Sequence, residues 1–176
     1  TMGEMATHVH AAPGNVAAIN LTICNFQADF LECCESVAEW LARLGRPDSR
    51  WHLIEKSSDI LAARKQGKVG LIMGWQNLRP IEDKLARLVL FHRAGVRMMQ
   101  LTYNERNFVG DGCLEPNDGG LTPFGKQAIA EMNRLGIAVD LSHVGERTCL
   151  DAVEASKLPV LLTHANARSV SNTLRN

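Results

Sequence analysis

Two histidines each close an apolar run. His143 ends Gly136-Ile137-Ala138-Val139-Asp140-Leu141-Ser142-His143, and His164 ends Pro159-Val160-Leu161-Leu162-Thr163-His164. Imidazole is a neutral nitrogen donor suited to Zn²⁺. Neighbouring strand ends in one sheet stand about 5 to 10 Å apart, so the two rings can share one metal ion or a close pair. The plain alternative is a pair of polar residues satisfied at strand ends. With a third ligand, a single ion at such a site would bring the pKa of bound water towards about 7 and activate a carbonyl. Gln76 and Tyr103 close two further apolar runs. Four successive strands therefore aim a polar group at one edge, the edge where α/β sheets and barrels keep their chemistry.

Other residues read differently. Asp140 lies three positions before His143, so in a strand it faces the other way and serves as a structural residue or one that orients a ligand. The stretch from Asn104 to Gly120 is longer than ordinary βα connections and holds Glu105, Asp111, Glu115 and Asp118. It reads as a segment that covers substrate or bears ligands, with solvated loop carboxylates as the equal alternative. His52 and His92 fall in helix or loop context and read as satisfied polar residues. Cys113 and Cys149 have no base beside them in sequence, which disfavours a thiol nucleophile.

The elements that must position these residues alternate. Strand candidates are Asn15 to Ile23, Lys68 to Gln76, Val96 to Tyr103, Gly136 to His143 and Pro159 to His164. Helical spacing runs from Asp29 to Leu44, from Ile60 to Gln66 behind a Ser57-Ser58-Asp59 cap, and from Ile81 to Arg93 behind Pro80. It resumes from Thr122-Pro123 to Gly136 and from Glu146 to Lys157. Five strands in parallel succession with right-handed crossovers predict an α/β chain, a TIM-like (β/α)₈ barrel of which about five β/α units are present. Residues 1–176 read as one domain. No GxGxxG follows the first strand and no phosphate-binding Walker loop occurs, which lowers the nucleotide-binding alternatives.

Composition narrows the partners. Nineteen basic and nineteen acidic residues cancel in 176, which removes the electrostatic case for nucleic acid or an anionic membrane and favours a small neutral or zwitterionic ligand. The five cysteines form no CxxC, so neither a zinc knuckle nor a disulfide scaffold is expected, and they read as reduced, mostly buried thiols. No apolar run reaches membrane-spanning length and Thr1 to Met5 lacks a signal-peptide start, so the expected setting is soluble and cytoplasmic.

Several strings carry a resemblance: Gly95-Val96-Arg97-Met98-Met99-Gln100-Leu101-Thr102-Tyr103-Asn104, Gly120-Leu121-Thr122-Pro123-Phe124-Gly125, Asn133-Arg134-Leu135-Gly136, Asp140-Leu141-Ser142-His143 and the segment from Thr163-His164 to Arg175-Asn176. From about Gly67 to Asn176 the chain resembles the renal (membrane) dipeptidase family of zinc peptidases, whose fold is a (β/α)₈ barrel. The resemblance implies a two-zinc site in which a bridging hydroxide attacks the dipeptide carbonyl. It places zinc ligands at His143 and His164, and at Arg175 the guanidinium that holds the substrate carboxylate. The family's bridging glutamate falls on Gln76 and its substrate-contacting histidine on Tyr103. Its first-strand His-x-Asp pair has no match, His8-Val9-His10 being the nearest string, and its late aspartate would lie beyond Asn176.

Those departures shift the expected chemistry. A neutral amide at Gln76 cannot offset two dications, so the expected cofactor is Zn²⁺, one or two ions, with a single ion or an empty site favoured over two. The expectation is a metal-dependent hydrolase of dipeptides or similar small amides, with His143, His164 and Gln76 at the metal and Arg175 and Tyr103 at the substrate. The rival is a diverged relative that binds a small zwitterion without cleaving it. A third reading is an unrelated amidohydrolase-type barrel with His8 and His10 as ligands. Self-association into a homo-oligomer is left open.

Overall fold

The computed structural model describes residues 16–173. Strands β1 (Ala18–Thr22), β2 (Trp51–Leu53), β3 (Val69–Trp75), β4 (Val96–Gln100) and β5 (Ala138–Asp140) form one all-parallel sheet. Between them run helices α1 (Phe30–Leu44), α2 (Ser57–Lys65), α3 (Ala86–Arg93) and α4 (Pro123–Leu135), and α5 (Glu146–Ala155) follows β5. The spatial order is β1-β3-β4-β5, with β2 on the flank of β3. This is an arc of a TIM-like barrel, with helices on its outer face.

Period-two alternation sorts the strand residues. Ile19 and Leu21 of β1 turn to the helices while Asn20 and Thr22 turn to the inner side. On β3, Leu71 and Met73 are fully buried and Trp75 packs edge-on against Phe91 of α3 at 4.7 Å. Full burial of each such side chain is worth about 1.5–3 kcal/mol. Helix α1 starts at the Asp29 cap, whose side chain and that of Glu32 satisfy one another's backbone N–H groups. Helix α4 is capped by the Thr122 hydroxyl, opens with Pro123 and stops at Gly136 in the left-handed conformation.

Several expectations change in detail. Strand β2 was not anticipated: three residues are too few for a readable period, and it pairs only with the first half of β3, placing His52 in a strand. The helix expected from Ile81 to Arg93 divides into a 3₁₀ turn at Arg79–Ile81 and α3, with Glu82 at φ 49° between them. Helix α2 begins at Ser57, so Asp59 lies in its first turn and takes the N–H groups of Glu55 and Lys56. The strand expected at Pro159–His164 is reduced to one parallel bridge, Leu161 beside Asp140. Strands β4 and β5 stop before Tyr103 and His143, so both rings stand on turns beyond the sheet edge.

Candidate active site

The site grows from the end of β5. Asp140 accepts hydrogen bonds from the Ser142 N–H (3.0 Å) and hydroxyl (2.8 Å), which turns the chain sharply after the strand. The same carboxylate accepts the Thr163 hydroxyl at 2.6 Å. Having given its only proton to Asp140, Thr163 can only accept from His164 Nδ1, at 2.8 Å. The imidazole is thereby fixed with its lone pair on Nε2. Gln76 Nε2 approaches that lone pair at 3.3 Å, and its N–H is the donor. Asp140 thus orients a ring, as its position before His143 suggested, but the ring is that of His164.

His143 is held by other means. Its φ is 64° and that of Asn104 is 63°, both in the region L-residues rarely adopt, and such strain concentrates where a site over-determines the backbone. His143 Nδ1 lies 2.7 Å from Asn104 Oδ1, to which the Cys113 thiol also donates, so the amide oxygen is the acceptor and the ring's lone pair is again on Nε2. One ring face stacks on Tyr103 (centroids 4.1 Å, 23°), and Tyr103 stacks on Phe26 (4.1 Å, 19°). The centroids of His143 and His164 are 4.9 Å apart.

Beside them lies a cavity of about 260 Å³, lined on its polar side by Asn20, Thr22, Gln76, Asp140, Thr163 and His164, with Trp75 and Met98 as apolar wall. Gln100, fully buried, donates to the backbone carbonyls of Gln76 (3.0 Å) and Thr102 (2.6 Å) and so sets the positions of Gln76 and Tyr103 together.

The long segment after β4 supports this arrangement. Asp118 accepts the Arg147 N–H (2.8 Å) and the Thr148 hydroxyl (2.8 Å), capping α5. Asp111 pairs with Arg106, which holds its carboxyl below the usual range, and accepts the Gly119 N–H at 2.6 Å. Gly112 bridges Val144, and a Cβ there would overlap the Asn104 backbone. The segment bears Asn104, which holds a candidate ligand, while Asp111 and Asp118 are structural acceptors. Cys149 packs under the turn, and burial, followed by the charge of Asp118, pushes its thiol up to about 12, so it is no nucleophile.

The structure therefore brings together His143, His164, Gln76 and Tyr103. Arg175, His8 and His10 lie outside the described residues. Asn104, Gln100 and Thr163 were missed as site residues, although Asn104 directly follows Tyr103 and Thr163 directly precedes His164 in sequence.

The model of the membrane dipeptidase family, peptidase family M19, matches residues 25–176. The chain belongs to that family. A dipeptidase named tcpJ of Claviceps purpurea is 34% identical over 129 residues, 72% of this chain and 30% of its own length. An uncharacterized dipeptidase of Schizosaccharomyces pombe is 36% identical over 128 residues, 70% of this chain and 31% of its own. Among solved structures, an amidohydrolase from Pseudomonas aeruginosa superposes with a TM-score of 0.87 at 35% identity, covering 93% of this chain and 50% of that one. A metallo peptidase from Rhodobacter sphaeroides, liganded with a phosphinate mimic of the dipeptide L-Ala-D-Ala, gives 0.75 at 27% identity, covering 90% and 47%. The chain spans about a third of the curated dipeptidases' length and about half of the solved chains.

Family M19 is metal-dependent, generally on zinc, and the donor set tests how that applies to this chain. Two imidazoles with lone pairs on Nε2 fit as two ligands of one ion. Gln76 brings no charge, so the set does not fit a carboxylate-bridged pair of dications. Among the described residues no group of three or more His, Cys, Asp or Glu gathers there.

Proposed function

We propose that this chain carries the two-histidine part of a single-ion hydrolase site acting on dipeptides or similar small amides. The observation that carries the reading is the pair of imidazoles 4.9 Å apart, each with Nδ1 committed to an oxygen. Support for the substrate class comes from relatives named dipeptidases and from the dipeptide mimic bound by the Rhodobacter sphaeroides enzyme.

His143 and His164 would hold the ion, with further ligands from outside the described residues. When bound, Zn²⁺ would lower the pKa of a bound water to about 7 and polarise the scissile carbonyl. Asn104 and Thr163 keep each ring in the tautomer that presents Nε2, so no tautomer shift is needed before ligation. Asn20 and Thr22 offer polar groups at the cavity wall to the peptide unit, and Tyr103 bounds the space beside His143. Arg175, by resemblance, would clamp the substrate carboxylate with paired N–H groups.

The Gln76–His164 hydrogen bond favours a second reading, a relative that binds a zwitterion without hydrolysis, because it satisfies the ligand nitrogen without metal. Zinc content and dipeptide release, measured on the full chain and on Gln76→Glu, separate the two. One zinc per chain with measurable release in the unmodified protein supports the single-ion hydrolase. Zinc binding and release that emerge only in Gln76→Glu support the ligand-binding relative, and no zinc in either refutes the metal site.

A further inference from the structure

Cys24 and Cys33 lie outside everything described so far and form a site of their own. Their Sγ atoms are 2.7 Å apart in the core, Cys24 being 3% exposed and Cys33 fully buried. That is well inside the roughly 3.5–4.0 Å at which heavy atoms rest in van der Waals contact. It is only about 0.7 Å beyond a covalent S–S length of about 2.05 Å. Two thiols in direct sulfur-to-sulfur contact are placed for a bond between them. We propose that Cys24 and Cys33 form a reversible intramolecular disulfide that clamps the loop joining β1 to α1.

The loop is anchored at both ends. Ile23, next to Cys24, donates to Gly74 O at 2.9 Å, and Cys33 sits in the first turns of α1 behind the Asp29 cap. Between the two cysteines, the Phe26 carbonyl accepts from Asn77 Nδ2 at 2.9 Å while its ring supports Tyr103 and, through it, His143. A bond across the base of this loop therefore fixes the outer end of the ring stack beside the imidazoles.

With glutathione disulfide as oxidant the step balances. One protein thiolate attacks a glutathione sulfur, breaking that S–S bond and expelling one glutathione thiolate. The second protein thiolate attacks the mixed disulfide at the protein sulfur and expels the other. Two protein thiols lose two electrons, and two glutathione thiols form with the two protons released. The hydrogen bond that Cys33 donates to Cys24, and then burial, raise the Cys33 thiol far above its usual range, so Cys33 rests as the neutral thiol. Exchange then proceeds over minutes to hours, through transient opening of the loop.

The test is to incubate the full chain with glutathione disulfide, denature it, alkylate the remaining thiols with N-ethylmaleimide and digest it with trypsin. The peptide ending at Arg43 contains Cys24, Cys33 and Cys34. We expect one alkyl group, on Cys34, and a loss of two hydrogens linking Cys24 to Cys33. The bond should persist in Cys34→Ser, disappear in Cys33→Ala, and raise the unfolding midpoint of Cys34→Ser by about 5 °C. Three alkyl groups after prolonged oxidation, a glutathione adduct that never resolves, or a bond to Cys34 would overturn the proposal.

Discussion

The two imidazoles of the site are neighbours held by opposite devices. His143 is 4% exposed, sits in a strained turn, is stacked on Tyr103 and is pinned by Asn104 from a segment zipped onto residues 141–148. His164 is half-buried, on a stretch joined to the sheet by one bridge, and is oriented by Thr163 and Asp140 through two hydrogen bonds. One ring is pre-set by packing and the other by a short polar chain. A site built in this way has one rigid imidazole and one adjustable imidazole, and Gln76 contacts the adjustable one.

The largest effect is expected from removing the rigid imidazole. His143→Ala should weaken zinc binding by at least about 100-fold, the top of the range that loss of an orienting partner costs. Equilibrium competition with a chelating dye measures it, and an equal, small effect of His143→Ala and His164→Ala would break the asymmetry. Next, Asn104→Ala should cost about 10- to 100-fold in affinity through the His143 tautomer alone. Gly112→Ala, which forces the Asn104 backbone to move, should give part of that loss. On the adjustable side, Thr163→Val removes the acceptor for His164 Nδ1 while keeping shape, and the expected loss is about 10-fold.

The smallest expected effect concerns the support of the rigid side. The Asp111 carboxyl is 5% exposed and its pKa is lowered by Arg106. Its stabilisation is therefore fully present above the unfolded value of about 3.9 and is lost as pH falls through the lower folded value. Asp111→Asn should cost about 0.5–1 kcal/mol at pH 6. The difference from the unmodified protein in thermal midpoint should shrink as pH drops from 6 towards 3. A constant difference would show that the pair does not act through its charge.

Much of this was legible in the chain. Four apolar runs ending in Gln76, Tyr103, His143 and His164 led to a parallel sheet with polar groups at one edge, and the structure assembles those four residues there. The family was equally readable, because strings such as Asp140-Leu141-Ser142-His143 encode a turn and a ring together. What stayed hidden depends on contacts between distant segments. The Asn104–His143 bond needs two residues at positive φ brought together by the fold of the long segment. Gln100 looked like an ordinary strand residue, and its hold on two backbone carbonyls exists only once β3 and β4 pair. Strand β2 is too short to show a period, and Cys24 and Cys33, nine residues apart, meet only through the turn of the loop between β1 and α1.

Whether both rings offer Nε2 to one shared ion while Nδ1 stays committed is read by ¹⁵N NMR of the imidazoles during a zinc titration. The Nε2 resonances of His143 and His164 should shift together and saturate at one equivalent, with both Nδ1 atoms remaining protonated. Coordination through either Nδ1, or a response from only one of the two rings, would contradict the shared site.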